Sequence, residues 1–255
     1  MAIESGKSIP QSRQRLAGVM ETLGNTLQLY LSPLTSSRSG MNLDSTSEFF
    51  LNFQSTVSKP RLDRYRRDGS DEIDAVADYL WNVALSEALY PWLAMLEVSL
   101  RNALHRELSE LTGTDMWFEQ VLRPEQISGF YRLRNDLQKK LNLPPGPDKL
   151  VSELSFGFWV SLLTQPYNQR IWAPNKATVL KRTFPQMPRF PNARRVVHRR
   201  CNMIRILRNR VMHHEPILMG LRWNGDVLPL TTIHRQIYDV IHWINPLSTE
   251  VMAIT

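Results

Sequence analysis

Residues 194–215 read RRVVHRRCNMIRILRNRVMHHE, and the way this stretch coils decides what the rest of the chain must be. Val196, Val197, Ile204, Leu207 and Val211 recur at helical spacing, so as an α-helix they share one face that packs inward. Arg205, Asn209 and His213 follow one another a turn apart and form a single stripe on another face. Arg208 is less ordinary: at about 100° per residue it falls between Ile204 and Met212, inside or beside the apolar arc. A guanidinium there cannot shed its proton, so it needs a carboxylate, a carbonyl or a bound phosphate as partner.

Outward from this segment the helical period persists. Ala75, Val76, Tyr79, Leu80, Val83, Ala84 and Leu89 mark one helix. Pro91, whose missing N–H costs nothing in a first turn, opens the next, which reaches about Leu111 with Trp92, Leu96, Leu100, Ala103 and Leu104 on one face. Further helices are expected over roughly Ile127 to Leu141, ending before Pro144-Pro145-Gly146-Pro147, and around Lys149 to Leu163. Pro166, Pro174, Pro185, Pro188 and Pro191 then punctuate the chain before a long helix from Asn192 to about His214. Leu221-Arg222-Trp223 and Val227-Leu228 around Asn224-Gly225 suit a tight hairpin. Thr231 or Thr232 is expected to cap a last helix through Trp243, which Pro246 closes. The fold class expected is all-α: a helical bundle with a small β-hairpin near the C-terminus.

Residues 1–47 differ from the rest. Leu16, Val19, Met20, Leu23, Leu27 and Leu31 give Gln14–Ser32 helical spacing, weakened by Gly18 and Gly24. SPLTSSRSGMNLDSTS follows, rich in Ser, and reads as a flexible connector. The expected organisation is therefore an N-terminal extension, 1–47, partly flexible, and a main domain over 48–255.

Composition narrows the function. No stretch approaches the roughly 18 uninterrupted apolar residues of a membrane span, and the N-terminus lacks a secretory apolar segment. The lone Cys201 excludes an internal disulfide framework and a Cys-based zinc cluster. HHE at 213–215 does not match the HExxH zinc pattern. A cytoplasmic protein with no membrane partner, no metal and no cofactor is expected. The net charge is +7, and of 31 basic residues all but the few Lys are Arg, whose planar fork matches phosphate. A polyanionic partner, RNA above all, fits this balance, as does a merely basic surface.

The residues of 194–215 suit RNA cleavage without a metal. RNA supplies its own nucleophile, the 2′-OH, so the protein must move protons and stabilise charge building on phosphorus. His213 can transfer protons in either direction near neutral pH. Arg208 can hold the phosphate by bidentate contact, and Asn209 can orient the imidazole or the phosphate. His214 reads as a helix-end donor or a support to the site, and a His near a helix C-terminus is also ordinary dipole complementation. Arg194, Arg195, Arg199, Arg200 and Arg205 are candidates for tracking an RNA backbone toward the site, or for a solvated basic face.

At this point the sequence resembles the Abi-like (abortive infection) group of the HEPN superfamily. The resemblance is carried by blocks in order. They are Ser58-Lys59-Pro60-Arg61-Leu62 with Tyr65, Tyr79-Leu80-Trp81-Asn82, and Leu96-Glu97-Val98-Ser99-Leu100-Arg101-Asn102-Ala103-Leu104. Ser155-Phe156-Gly157-Phe158-Trp159 with Ile171-Trp172 follow, and Leu207-Arg208-Asn209-Arg210-Val211-Met212-His213-His214-Glu215-Pro216-Ile217 closes the series. It leaves residues 1–47 outside. It implies an α-helical HEPN domain, often dimeric, whose active members are metal-independent ribonucleases associated with phage exclusion and toxin–antitoxin behaviour. Their Arg-Asn-x-x-x-His motif falls on Arg208, Asn209 and His213. A homodimer and an antitoxin protein are the partners it implies beside RNA. Two alternatives remain open: an RNA-binding module that no longer cuts, and a protein-interaction module using the bundle surface alone.

Within the third block Glu97 can pair with Arg101 one turn on, or reach across to neutralise Arg208, with Arg101 and Asn102 as supporting neighbours. Phe156, Gly157, Phe158 and Trp159 read mainly as core, with base stacking by Trp159 or Trp172 as the other use.

Overall fold

Among the described residues the first helix spans Leu43–Val57. The computed structural model describes residues 43–69, 72–173 and 177–253; the helix expected over Gln14–Ser32 lies outside them. The elements in chain order are α1 (Leu43–Val57), α2 (Lys59–Leu62), α3 (Glu72–Thr112), α4 (Phe118–Val121), α5 (Pro124–Leu141), α6 (Pro147–Glu153), α7 (Phe156–Ser161) and α8 (Ala177–Thr183). Then come α9 (Ala193–Met212), β1 (Leu221–Trp223), β2 (Asp226–Leu228), α10 (Leu230–Ile244) and α11 (Pro246–Met252). The described fold is thus helical, with one small two-stranded antiparallel sheet.

The chain divides into two units, one holding the described residues up to Tyr90 with Arg210–Gly220, the other Pro91–Asn209 with Leu221 onward. In the first, Phe50, Leu62 and Val76 form a buried cluster, with Phe53, Val57, Tyr79 and Leu80 packed against it. Tyr79 meets Tyr65 edge-on at 5.5 Å and Phe53 at 5.9 Å between ring centroids. In the second, Leu96, Leu100, Leu104 and Leu108 of α3 are fully buried at successive turns, as are Val197, Ile204 and Leu207 of α9 and Ile233, Ile237 and Ile241 of α10. Trp117 stacks on Phe118 at 4.2 Å, and Phe118 on Phe130 at 4.4 Å.

Several expected boundaries are corrected. No helix starts at Pro91: α3 runs through it from Glu72 to Thr112. Pro91 and Glu87, the residue whose carbonyl loses its donor, are both exposed, so water can replace the missing N–H. The single helix expected over Lys149–Leu163 is two, because Leu154 and Ser155 turn extended and the Ser155 hydroxyl accepts the Phe158 N–H as an N-cap. Neither Thr231 nor Thr232 caps α10, whose cap position is Pro229. α10 closes ahead of Pro246 as expected, but Pro246 also starts a further helix, α11, with the Asn245 side chain accepting from Leu247 N–H. The hairpin forms as expected, Asn224 and Gly225 both turning at positive φ (52° and 94°) to pair Trp223 with Asp226.

Among the described helices α3 is long and apolar enough to cross a membrane by length and composition alone, and 28% of its apolar window is buried in the fold. Polar residues interrupt its apolar runs, and its buried carboxylates are paired with arginines. Asp78 pairs with Arg67 at 2.6 Å, and Glu107 with Arg106 and Arg182, each at 2.9 Å.

Candidate functional site

α9 carries its apolar residues inward as the spacing requires, and this places Arg208 at the edge of the core. Its side chain is 32% exposed, and Glu97 on α3 faces it with Oε2 3.4 Å from Nε. That Nε is buried and has no hydrogen-bond partner among the described residues. The guanidinium is therefore attracted to a carboxylate without an aligned bond from this nitrogen. Of the two contacts open to Glu97, the ion pair is with Arg208; Arg101 instead donates to the Asn102 side chain at 3.3 Å. Asn209 follows, half-buried.

The five arginines proposed to track RNA separate into two groups. Arg194 donates to the Leu163 carbonyl at 2.5 Å, and burial, reinforced by the charge of Arg195, lowers its pKa from the ordinary arginine value. Arg200 pairs with Asp239 at 2.7 Å and lies 4.5 Å over the Trp243 ring. Arg205 donates from Nε and Nη2 to the Asn202 amide oxygen at 3.1 and 2.9 Å, its stem resting over Gly157. Arg195 and Arg199 are exposed, and their side chains have no hydrogen bond or ion pair to a described residue. Three of the five thus have structural partners, and two are fully available. Trp159 and Trp172 are both buried, Trp172 donating to the Leu162 carbonyl at 2.7 Å, so they serve the core rather than stacking on bases.

His213 and His214 belong to the first unit and sit at the end of α9, both exposed. The helix closes in a Schellman arrangement: Glu215 N–H reaches the Arg210 carbonyl at 2.8 Å and His214 N–H the Val211 carbonyl at 3.1 Å. His214 takes the left-handed position at φ 55°, where glycine is usual. His213 is then the C-cap residue. The chain beyond is pinned. Asn82, 2% exposed, accepts Ile217 N–H at 2.6 Å and Leu218 N–H at 3.2 Å through Oδ1, and its Nδ2 donates to the Glu215 carbonyl at 3.2 Å. Arg61 donates to the His214 carbonyl at 3.2 Å, and Arg210 Nε lies 3.9 Å from Glu215.

Arg61 and Asn82 each stand in one of the blocks that carried the resemblance, but residue chemistry alone did not single them out. The available signal was an Asn on a helix face shared with Ala75, Tyr79 and Leu89. His198 was also missed: it lies on the stripe of α9 shared by Arg194, Asn202, Arg205 and Asn209. Burial first, then the charges of Arg194 and Arg205, holds its imidazole pKa below 6.5, so it is neutral at neutral pH. Among the described residues no group of three or more His, Cys, Asp or Glu side chains is arranged to hold a metal ion. No family model, curated protein or solved structure matches the chain.

Proposed function

We propose that the chain is a metal-independent endoribonuclease of the Abi-like HEPN type, acting in the cytoplasm within an abortive-infection or toxin–antitoxin system. The observation that carries this reading is the buried, unbonded Nε of Arg208 beside the Glu97 carboxylate. An arginine placed at the edge of a core, counter-charged but not fully bonded, has donor capacity left for a phosphate oxygen. Asn209 is its neighbour in sequence, and His213, exposed at the helix end, brings the titratable ring of the same short motif.

In the proposed reaction the 2′-oxygen attacks the adjacent phosphorus and the 5′-oxygen leaves. His213 takes the 2′-OH proton as general base or gives one to the leaving oxygen as general acid. Arg208 stabilises the charge that builds on the non-bridging oxygens, and Asn209 positions the ring or the phosphate. Glu97 keeps Arg208 in place when no RNA is bound. The products carry a 2′,3′-cyclic phosphate and a 5′-OH. A dimer supplying a second copy of the motif would complete the acid–base pair, by analogy with the family. Single-stranded or looped RNA is the proposed substrate, since a splayed backbone permits in-line attack. Arg195 and Arg199 are the proposed backbone contacts, and an antitoxin protein the proposed restraint.

The test is incubation of the purified chain with total cellular RNA in EDTA, beside the His213→Ala variant. Cleavage by the parent and none by the variant is expected. RNA binding without cleavage by either protein overturns the enzyme in favour of a non-cutting RNA-binding module, and no binding at all leaves a protein-interaction module.

A further inference from the structure

A cleft of about 350 Å³ opens in the second unit between α9, the hairpin and α10. Its size lies at the low end of small-ligand sites, roughly 300–1,000 Å³. The hairpin register decides what faces it. Leu221, Trp223, Asp226 and Leu228 share one face of the two-stranded sheet, and Leu221 is fully buried, so this is the face turned to the helices. Arg222 and Val227 point the other way, Val227 being 52% exposed. Trp223 and Asp226 are direct cross-strand partners, so their side chains stand side by side at the hairpin tip.

The chemistry of the lining is mixed in a particular way. Trp223 offers a half-buried aromatic plane, with the buried Met203 of α9 also lining the cleft. Asp226 is an exposed carboxylate that accepts only, and its side chain has no hydrogen bond or ion pair to a described residue. Arg200 is already fixed by Asp239 and Trp243, whereas Arg199 is exposed and has no such partner. The Gln236 amide completes the polar edge. A flat apolar platform, a lone acceptor beside it and an unpaired guanidinium together describe a receptor for a nucleotide.

We infer that this cleft binds a guanine nucleotide, with the base on Trp223, its N1–H and N2–H donated to Asp226, and its phosphate on Arg199. Guanine is the base that sets two donors side by side on its pairing edge. Adenine would turn its N1 lone pair against the carboxylate, and uracil and cytosine each present a single donor there. The same chemistry can arrive as a free nucleotide or as a guanosine within single-stranded RNA. Arg199 and Met203 lie about 140–180° around α9 from Arg208, so the site is separate from the proposed catalytic residues and does not rest on cleavage.

The experiment titrates the full chain with GMP, AMP, UMP and CMP, following the Trp223 indole N–H resonance, assigned by its loss in Trp223→Phe. A saturable shift with GMP, about tenfold tighter than with the other three, is expected. Trp223→Ala weakens GMP binding about tenfold, read by isothermal titration calorimetry against the parent because the variant lacks the reporter resonance. Asp226→Asn, at an exposed position where folding is preserved, removes the preference for GMP over AMP. The oligoribonucleotide UUUGUUU, compared with UUUUUUU, separates the sources: binding tighter than GMP assigns the site to RNA, and binding no tighter assigns it to the free nucleotide. The inference is overturned by no saturable Trp223 shift at millimolar GMP or with the guanosine oligomer, by equal affinity for all four nucleotides, or by a GMP preference that survives Asp226→Asn.

Discussion

Glu97 Oε2 lies 3.4 Å from Arg208 Nε, and the nitrogen it faces is buried without a hydrogen bond. The pair joins α3 to α9 by attraction rather than by an aligned bond, so it restrains the guanidinium without using up its donors. Partly exposed pairs of this kind contribute little to stability.

Glu97→Gln is therefore expected to lower unfolding stability by no more than about 1 kcal/mol. In the proposed nuclease it slows cleavage at saturating RNA by about 10–100-fold, because a misplaced phosphate ligand costs far more in rate than in stability. Urea unfolding and steady-state kinetics on one oligoribonucleotide check both halves. A large stability loss with unchanged kcat would make Glu97 a structural residue only.

Asn82 holds the opposite balance. It is buried, and its side chain satisfies two backbone N–H groups and one carbonyl of the segment after α9. Asn82→Ala leaves these groups without partners and is expected to cost about 2–3 kcal/mol, read from the urea midpoint at constant m. Arg61→Ala, which removes a solvent-exposed hydrogen bond to the His214 carbonyl, is expected to cost under about 1 kcal/mol.

His214 stands where the helix ending calls for a left-handed residue, at φ 55°. His214→Gly is expected to raise stability by roughly 0.5–1 kcal/mol, seen as a higher Tm, while the β-branched His214→Val lowers it.

What could be read in advance follows from what acts locally. The bounds of α9 and the hairpin register were legible because an amphipathic period and an Asn-Gly turn are decided by neighbours in sequence. Pro91 misled, since a proline that opens a helix and one tolerated inside a longer helix look alike until its exposure is known. Pro246 marked the end of α10 as expected, but that it also opens a further helix was not foreseen. At the site, the inward lean of Arg208 was visible on the helical wheel. Glu97 was legible as a candidate to answer it, with pairing to Arg101 as the other contact left open, and the choice between the two is settled by tertiary packing across more than a hundred residues of sequence. Asn82 was hidden for the same reason: its three hydrogen bonds go to backbone groups remote in the chain.

Acid should weaken the fold. Burial is the largest cause holding the pKa values of His105, His198 and His234 below 6.5; at His198 the charges of Arg194 and Arg205 add to it, and at His105 Asp115 and Asp148 oppose it. The unfolded chain then binds more protons than the folded one as pH falls through 6.5 toward the lowered values. The stability these neutral rings contribute is present above that pH and lost below it. The urea midpoint at about pH 5.5 should lie below that at about pH 7.5, and His198→Gln should narrow the gap.

The most direct measurement concerns the nucleophile. A single-stranded oligoribonucleotide is incubated with the protein in EDTA, beside a copy carrying a 2′-deoxy sugar at the mapped cleavage position, and the ends are identified by mass. If the RNA's own 2′-OH attacks, the all-ribose strand yields a 2′,3′-cyclic phosphate and a 5′-OH, the 2′-deoxy strand stays intact at that position, and Arg208→Ala and His213→Ala leave both uncut. Cleavage of the 2′-deoxy strand at the same bond, or products ending in a 5′-phosphate, would contradict it.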